Sequence, residues 1–254
     1  MAKVFQVDTG GTLTTGLISY WPLEEPSGLR PDFFGSNDLT DNNTVTGAVG
    51  KVNNAAQFTR ANGEWLSHAD NASLSINGSS FSLAGWVYLD SKPAVANMTI
   101  CARTGPNGNT LGVGDREFDL LYVDTVGKFY FQIYDGSGLA DAVQATTFGA
   151  PSTGTWYFLV AIHDIVAQKI YISVNNGTLD STSTTKTTID STADFSLGNR
   201  NQFGIGDAWD GREDEFGLWK KVLSAQEITD LYNGGVGQTM VLSSTVHRMF
   251  AIFD

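Results

Sequence analysis

Alternating strands separated by turn residues are the feature that most constrains the fold of this chain. The segment FSLAGWVYL, residues 81–89, places its odd-numbered side chains on one face and its even-numbered side chains on the other, as a β-strand does. KFYFQIY at 128–134 and KIYISVN at 169–175 repeat this alternation, and NNG at 175–177 predicts a tight hairpin turn. Because helices do not punctuate the strands, the pattern predicts an all-β fold, a two-sheet antiparallel sandwich, and excludes a parallel βαβ sheet.

One short helix is predicted after the last strand of the sandwich. Ser224 and Glu227 have the spacing of a capping box, in which each side chain accepts the free N–H of the other residue. The apolar side chains that follow share one helical face: Ile228, Leu231 and Tyr232. The pair Gly234–Gly235 then ends the helix after two to three turns.

Composition and charge exclude several classes of partner. The net charge of −12 argues against nucleic acid, because phosphate binding needs clustered Lys and Arg. Cys101 is the only cysteine, so the chain forms no internal disulfide, and its neighbours indicate a buried strand position. No stretch approaches the ~18 apolar residues of a membrane helix, so we expect no membrane insertion. The first residues, MAKVFQVDTGGTLTTG, lack the apolar region of a secretory signal, so we expect no signal peptide.

Six segments, in order along the chain, carry a likeness to a known family. They are GLISYWPLEEPSG, DFFGSNDLT, GKVNNAAQFTRANGEWLS, FSLAGWVYL, GTWYFLVAIHD with KIYISVNNGT, and FGIGDAWDGREDEFGLWKKVLSAQEITDLYNGG. Together they resemble the laminin G-like (concanavalin A-like lectin/glucanase) jelly-roll domains, in their bacterial and viral branch. The resemblance implies one concave and one convex antiparallel sheet. Its extent predicts an N-terminal arm (1–15), a jelly-roll domain (16–235) and a C-terminal tail (236–254).

Three consecutive acids, Glu213, Asp214 and Glu215, raise the question of catalysis. Glycoside hydrolysis needs two carboxyl groups that face each other across the sugar. On a regular strand Glu213 and Glu215 would point outward and Asp214 inward, and the resembled family has a structural segment at this place. The histidines His68, His163 and His247 are too scattered for a triad or a zinc site. The sequence therefore predicts a protein that is not an enzyme.

A structural calcium ion is the sharper interpretation of the acids, and it follows from the resemblance. Domains of this type often use calcium to tie the loop after the first strand to the last strand. The matching positions are Glu24 or Glu25, Asp32, Asn37, Asp38 and Asp214. The alternative is that Asp214, turned inward, accepts hydrogen bonds from backbone N–H groups of a loop.

A set of aromatic residues lies opposite the predicted core faces or in loops, where rings can stack on sugars. The set consists of Trp86, Tyr88, Tyr130, Tyr134 and Trp209. The alternative is that loops cover these rings. The polar loop at 103–118, rich in glycine, is placed to shape the rim of a glycan site.

The apolar residues at the C-terminal end of the chain indicate contacts with other subunits. The last 14 residues are too apolar to lie free in water. The residues that we expect to contact other subunits are Val241, Leu242, Met249, Phe250 and Phe253. The alternative is that both ends pair with an edge of their own sandwich.

Taken together, these expectations predict that the protein is a non-catalytic recognition or assembly module. We expect a homo-oligomeric structural protein of a bacteriophage virion, a decoration, fibre or tail component with a lectin-like domain. The alternative is a carbohydrate-binding or adhesion module at a bacterial surface or in a secreted system, with a polysaccharide-degrading enzyme as a third option. The expected location is a virion or an extracellular surface.

Overall fold

Strands dominate the structure, a computed structural model that describes residues 6–7, 12–93, 97–105, 115–200 and 204–241. One sheet has seven strands, in the spatial order β11 (Ala140–Gln144), β10 (Lys128–Tyr134), β9 (Arg116–Val123), β8 (Asn97–Thr104), β15 (Phe195–Leu197), β6 (Trp65–His68) and β3 (Thr40–Asn42). The other has eight, in the order β14 (Asp180–Ser183), β13 (Lys169–Val174), β12 (Trp156–Asp164), β7 (Phe81–Leu89), β16 (Gly211–Trp219), β5 (Asn54–Phe58) and β4 (Thr46–Val49), with β2 (Leu17–Trp21) also paired to β16. All pairings within these two sheets are antiparallel.

The predicted sandwich is confirmed by the core between the two sheets. The odd-numbered side chains of β7 point into it, and Phe81 lies 5.3 Å from Phe118 of β9 and 6.0 Å from Phe131 of β10, measured between ring centroids. Cys101 of β8 is fully buried in the same core, as predicted. The period of two in β7 therefore marks the side chains that point between the two sheets.

A second apolar cluster covers the outer face of the eight-stranded sheet. Helix α1 (Ala225–Tyr232) lies on it and buries the predicted residues Ile228 and Leu231. Tyr232 stacks on Trp86 of β7 with ring centroids 5.7 Å apart. The capping box is confirmed: Ser224 Oγ accepts the N–H of Glu227 at 3.3 Å, and Glu227 Oε2 accepts the N–H of Ser224 at 2.9 Å.

Turn residues act where the sequence predicts them. Asn175 and Asn176, with φ of 55° each, turn the chain between β13 and β14. Helix α1 ends at Asn233, which takes the left-handed conformation with φ of 47°, one residue before the predicted glycines. Short 3₁₀ turns complete the described helices, at Arg60–Asn62, Ala72–Leu74, Gly204–Gly206 and Asn233–Gly235.

The two ends of the described chain pair with each other outside the sandwich. Strand β1 (Gln6–Val7) runs parallel to β17 (Met240–Val241). Leu13 and Met240, beyond the predicted limits of the jelly roll, are buried in the outer apolar cluster. Docking of the ends on other subunits stays a prediction, and four of the residues predicted for it lie outside the described residues: Leu242, Met249, Phe250 and Phe253. None of the described helices is long and apolar enough to cross a membrane.

Candidate functional site

The acidic triplet lies at a β-bulge in β16, and the bulge changes the predicted directions of its side chains. Asp214 pairs with Trp86 of β7 but Gly217 pairs with Ala84, so β16 contains one extra residue. Glu215 absorbs it with a left-handed backbone, φ of 53°. The prediction of Glu213 and Glu215 outward and Asp214 inward is therefore wrong.

Glu213 points into the inter-sheet core, opposite Val87, and is 0% exposed. Asp214 and Glu215 both point to the other side of the sheet, where Glu215 accepts hydrogen bonds from the hydroxyl groups of Tyr20 and Thr239. Burial raises the pKa of all three carboxyl groups well above their usual values. All three carboxyl groups are buried, with at most 7% exposure.

The predicted calcium ligands separate into two groups with different partners. The Asp32 carboxylate accepts backbone N–H groups of Tyr20, Phe34, Gly35 and Asn37 at 2.9 to 3.1 Å, so its oxygens are already satisfied. The Asn37 side chain donates to Ser19 Oγ at 2.7 Å and accepts from Asn71 and Ser73. Asp38, beside them, accepts the N–H of Asp32 at 2.8 Å.

The second group lies at the turn that joins β4 to β5. Glu24 accepts hydrogen bonds from Asn53 Nδ2 at 2.8 Å and from the N–H of Asn54 at 3.1 Å. Asp214 Oδ2 accepts the N–H of Val52 at 2.8 Å, whereas its buried Oδ1 has no hydrogen-bond partner among the described residues. Burial raises the Glu25 pKa. Within the described ranges, no three His, Cys, Asp or Glu side chains come together as a metal cluster. Glu25 Oε2, like Asp214 Oδ1, is a buried carboxyl oxygen with no hydrogen-bond partner among the described residues.

The five predicted aromatic residues do not form one surface, which corrects the expectation of a single aromatic platform. Trp209 is buried between the sheets and Trp86 lies under helix α1, because the outer face of β7 belongs to a second apolar cluster. Tyr88 lies farther along that face, where the guanidinium of Arg212 is 4.4 Å from its ring centroid. Tyr130 and Tyr134 share another face, the outer side of the seven-stranded sheet.

That outer side, across β9, β10 and β11, is termed the polar face. The register of the three strands brings its members together, because residues paired across antiparallel strands point to the same side. Its members are Arg116, Asp119, Leu121, Lys128, Tyr130, Gln132, Tyr134, Ala140, Ala142 and Gln144. Tyr130, Gln132 and Gln144 are partly exposed, whereas Tyr134 is almost fully buried.

Asp119 is the buried hub of the polar face. Its carboxylate accepts hydrogen bonds from Thr104 Oγ1 at 2.9 Å, Gln132 Nε2 at 3.0 Å and the Tyr134 hydroxyl at 3.0 Å. Arg200 Nε lies 3.5 Å from it as an ion pair. Burial, together with the charge of Asp119, raises the pKa of Tyr134. Burial lowers the pKa of Arg200, but the charges of Asp119 and Asp207 outweigh burial and leave that pKa raised.

A second bulge, at Glu117 of β9, turns Arg116 onto the polar face. Arg103 pairs with Phe118 but Thr104 pairs with Arg116, so Glu117 is the extra residue. Glu117 is buried, forms an ion pair with Arg103 at 3.2 Å and accepts from Ser191. Burial raises the pKa of Glu117 to about 7, although Arg103 opposes the shift. Arg116 faces outward, its guanidinium 5.3 Å from the ring centroid of Tyr134.

Sequence reasoning missed Arg116, Asp119 and Gln132 as members of this site. The alternation of Tyr130, Gln132 and Tyr134 was the available signal, because it places an amide between two rings on the face opposite the core. Asp119 and Arg116 gave no comparable signal. Their roles depend on which strands are neighbours and on the bulge at Glu117.

Comparison with known proteins gives a family match and several similar structures. The family described as the concanavalin A-like lectin/glucanases superfamily matches residues 60–229. The comparison with curated protein sequences gives no match.

The binding domain of Paraclostridial Mosquitocidal Protein 1 is similar with a TM-score of 0.68 and 14% identity, over 88% of this chain and 53% of that chain. Domain 4 of AbnA, an extracellular arabinanase from Geobacillus stearothermophilus, in complex with arabinotriose, is similar with a TM-score of 0.64 and 19% identity. The match covers 87% of this chain and 98% of that chain. The ligand-binding domain of botulinum neurotoxin serotype D, in complex with N-acetylneuraminic acid, has a TM-score of 0.63 and 13% identity. The match covers 87% of this chain and 51% of that chain. This chain thus spans about half of each toxin chain and nearly all of the arabinanase domain. At these identities the likeness shows the fold.

Proposed function

Since the chain belongs to the concanavalin A-like lectin/glucanases superfamily, we propose that it is a carbohydrate-binding module whose ligand lies on the polar face. The contrast between the two outer faces of the sandwich carries this proposal. Helix α1 and an apolar cluster cover the part of the outer face of the eight-stranded sheet that includes Trp86 and Phe158. The polar face instead presents a partly exposed tyrosine beside amide side chains and an arginine.

The chemistry of the polar face suits a sugar. The Tyr130 ring supplies an apolar surface for the C–H side of a pyranose or furanose ring, and its hydroxyl can bond with the ligand. Gln132 and Gln144 supply amide donors and acceptors on either side of it. The hydrogen bond from Gln132 to Asp119 fixes that amide before a ligand arrives, which lowers the ordering cost of binding.

We propose that the module is not catalytic. A glycosidase would need two carboxyl groups available to the sugar. Asp119 is buried and fully engaged, and Asp207 is the other partner of Arg200, at 3.7 Å. The similar arabinanase domain holds arabinotriose and the similar toxin domain holds N-acetylneuraminic acid, which supports a binding role for this chain.

Binding measurements with a matched pair of tyrosine variants test the proposal. A glycan array identifies a ligand, and isothermal titration calorimetry then compares Tyr130→Ala with Tyr88→Ala, a partly exposed tyrosine on the other sheet. We expect Tyr130→Ala to weaken binding at least about tenfold, about 1.4 kcal/mol, and Tyr88→Ala to change little. Equal loss in both variants, or no glycan bound by the wild type, would overturn the proposal.

For the biological setting we propose a homo-oligomeric structural protein of a bacteriophage particle, with an adhesion module of a bacterial or secreted system as the alternative. The support is the run of apolar residues at 241–254, which an interface between subunits would bury.

Calcium is proposed at Asp214 and Glu24. The support is the buried Asp214 Oδ1, which has no hydrogen-bond partner among the described residues and lies near the charge of Glu24.

A further inference from the structure

The polar face presents two cationic side chains that form no ion pair with the described residues. Neither Arg116 nor Lys128 has an acidic group within 4.0 Å in the described part of the chain. The carboxylate on the face, Asp119, is buried and already paired with Arg200. The face therefore presents cations in a chain whose net charge is −12.

Three of the acids that flank the polar face are held by other groups. Each of three is bound by a side chain of a neighbouring segment: Asp115 by Thr192 at 3.2 Å, Asp135 by Lys186 at 2.9 Å and Asp141 by Thr184 at 2.6 Å. Asp124, in the β9–β10 turn, lies at the Lys128 end of the face. The internal segments 94–96, 106–114 and 201–203 contain no Asp or Glu, so they add no countercharge to Arg116.

Arg116 is held in a geometry that suits anion recognition. Its guanidinium lies over the Tyr134 ring, and the Tyr134 hydroxyl is fixed by its hydrogen bond to Asp119. A guanidinium held over a ring keeps the N–H donors along its edge available, and these match the two oxygens of a carboxylate or sulfate. On β11 the neighbours of Tyr134 and Gln132 are Ala140 and Ala142, which have short side chains.

We propose that the polar face binds an anionic glycan, one that carries carboxylate or sulfate groups, and that Arg116 contacts the anionic group. This inference rests on the proposed carbohydrate-binding function and adds the chemical class of the ligand. The bulge at Glu117 is what makes it possible, because without the extra residue Arg116 would point to the inner side of the sheet.

Matched glycans with and without one anionic group provide the test, measured on the full-length protein by calorimetry or biolayer interferometry. Polygalacturonate is compared with its methyl ester for carboxylate, and chondroitin sulfate with desulfated chondroitin for sulfate. The methyl ester is the neutral control, whereas desulfated chondroitin keeps its uronate carboxylates and lacks only the sulfate. We expect at least one charged member to bind about tenfold or more tightly than its counterpart, and that preference to shrink between 0.15 M and 1 M salt. The pair that shows the preference identifies which anion is recognised.

Two arginine variants connect the preference to Arg116. Arg116→Gln should lose the preference while retaining binding of the neutral glycan, and Arg116→Lys should retain part of it. Arg212→Gln is the control, because Arg212 lies in the same way over Tyr88, on the other sheet. Equal binding of both members of each pair, or an undiminished preference in Arg116→Gln, overturns this inference. If neutral glycans still bind and Tyr130→Ala abolishes that binding, the proposed function stands without it, whereas absence of any glycan binding overturns both.

Discussion

Replacing Glu213 with glutamine is expected to remove a large part of the pH dependence of stability. Glu213 is 0% exposed, and neither carboxyl oxygen has a hydrogen-bond partner among the described residues. Burial raises its pKa well above 4.5, and the backbone N–H of Gly198, which donates to the Ile100 carbonyl at 2.9 Å, opposes this only weakly. The native state therefore keeps a proton on Glu213 that the unfolded chain loses above about pH 4.5.

The sign and size of the effect follow from proton linkage. Because the folded pKa lies above the unfolded one, the stability from Glu213 is fully present below the unfolded pKa and is lost as the pH rises toward the folded pKa. One extra proton bound by the native state changes the free energy of unfolding by about 1.4 kcal/mol per pH unit. Above the unfolded pKa the wild type should thus lose stability through Glu213 at up to this rate, for as long as the native state keeps the proton.

Urea unfolding at half-unit steps from pH 5 to pH 8 measures this loss. Glutamine is neutral throughout, so the stability difference between Glu213→Gln and the wild type should shift in favour of the variant as the pH rises from 5, by up to about 1.4 kcal/mol per pH unit. A constant penalty for burying the amide cancels in that comparison. The control variant is Asp90→Asn. The Asp90 carboxyl group is exposed and accepts a hydrogen bond from Gln57 at 3.0 Å. Parallel curves for wild type and Glu213→Gln would refute the reasoning.

Three further predictions concern the helix, the cation and the ends. Ser224→Ala should lower the free energy of unfolding by about 1 kcal/mol, because Glu227 loses the acceptor of its N–H; a urea midpoint equal to that of the wild type would contradict it. Chelator should lower the melting temperature and calcium should restore it, with no response in Asp214→Asn; an unchanged wild-type melting curve in excess EDTA argues against the ion. Removing residues 242–254 should leave the melting curve nearly unchanged and abolish oligomers in light scattering; a monomeric full-length protein would contradict the assembly prediction.

The local parts of this structure were determined by the sequence itself. Alternation in β7 gave the buried side of the strand, because successive side chains of a strand point to opposite faces regardless of its neighbours. The capping box at Ser224 and Glu227 joins residues three positions apart, and the turn at Asn175 and Asn176 depends on their own backbone preferences. Such features involve few residues, so their physics can be evaluated without knowledge of the rest of the fold.

Tertiary structure decided the parts on which the candidate site depends. A single inserted residue reverses the side to which a strand points, and the bulges at Glu117 and Glu215 place Arg116 on the polar face and Glu213 in the core. Tertiary packing decided which aromatic residues are accessible, since Trp86 lies beneath helix α1 whereas Tyr130 is partly exposed on the outer side of the other sheet. Alternation in the sequence shows which side chains of a strand share a face. What covers each face depends on segments far away along the chain.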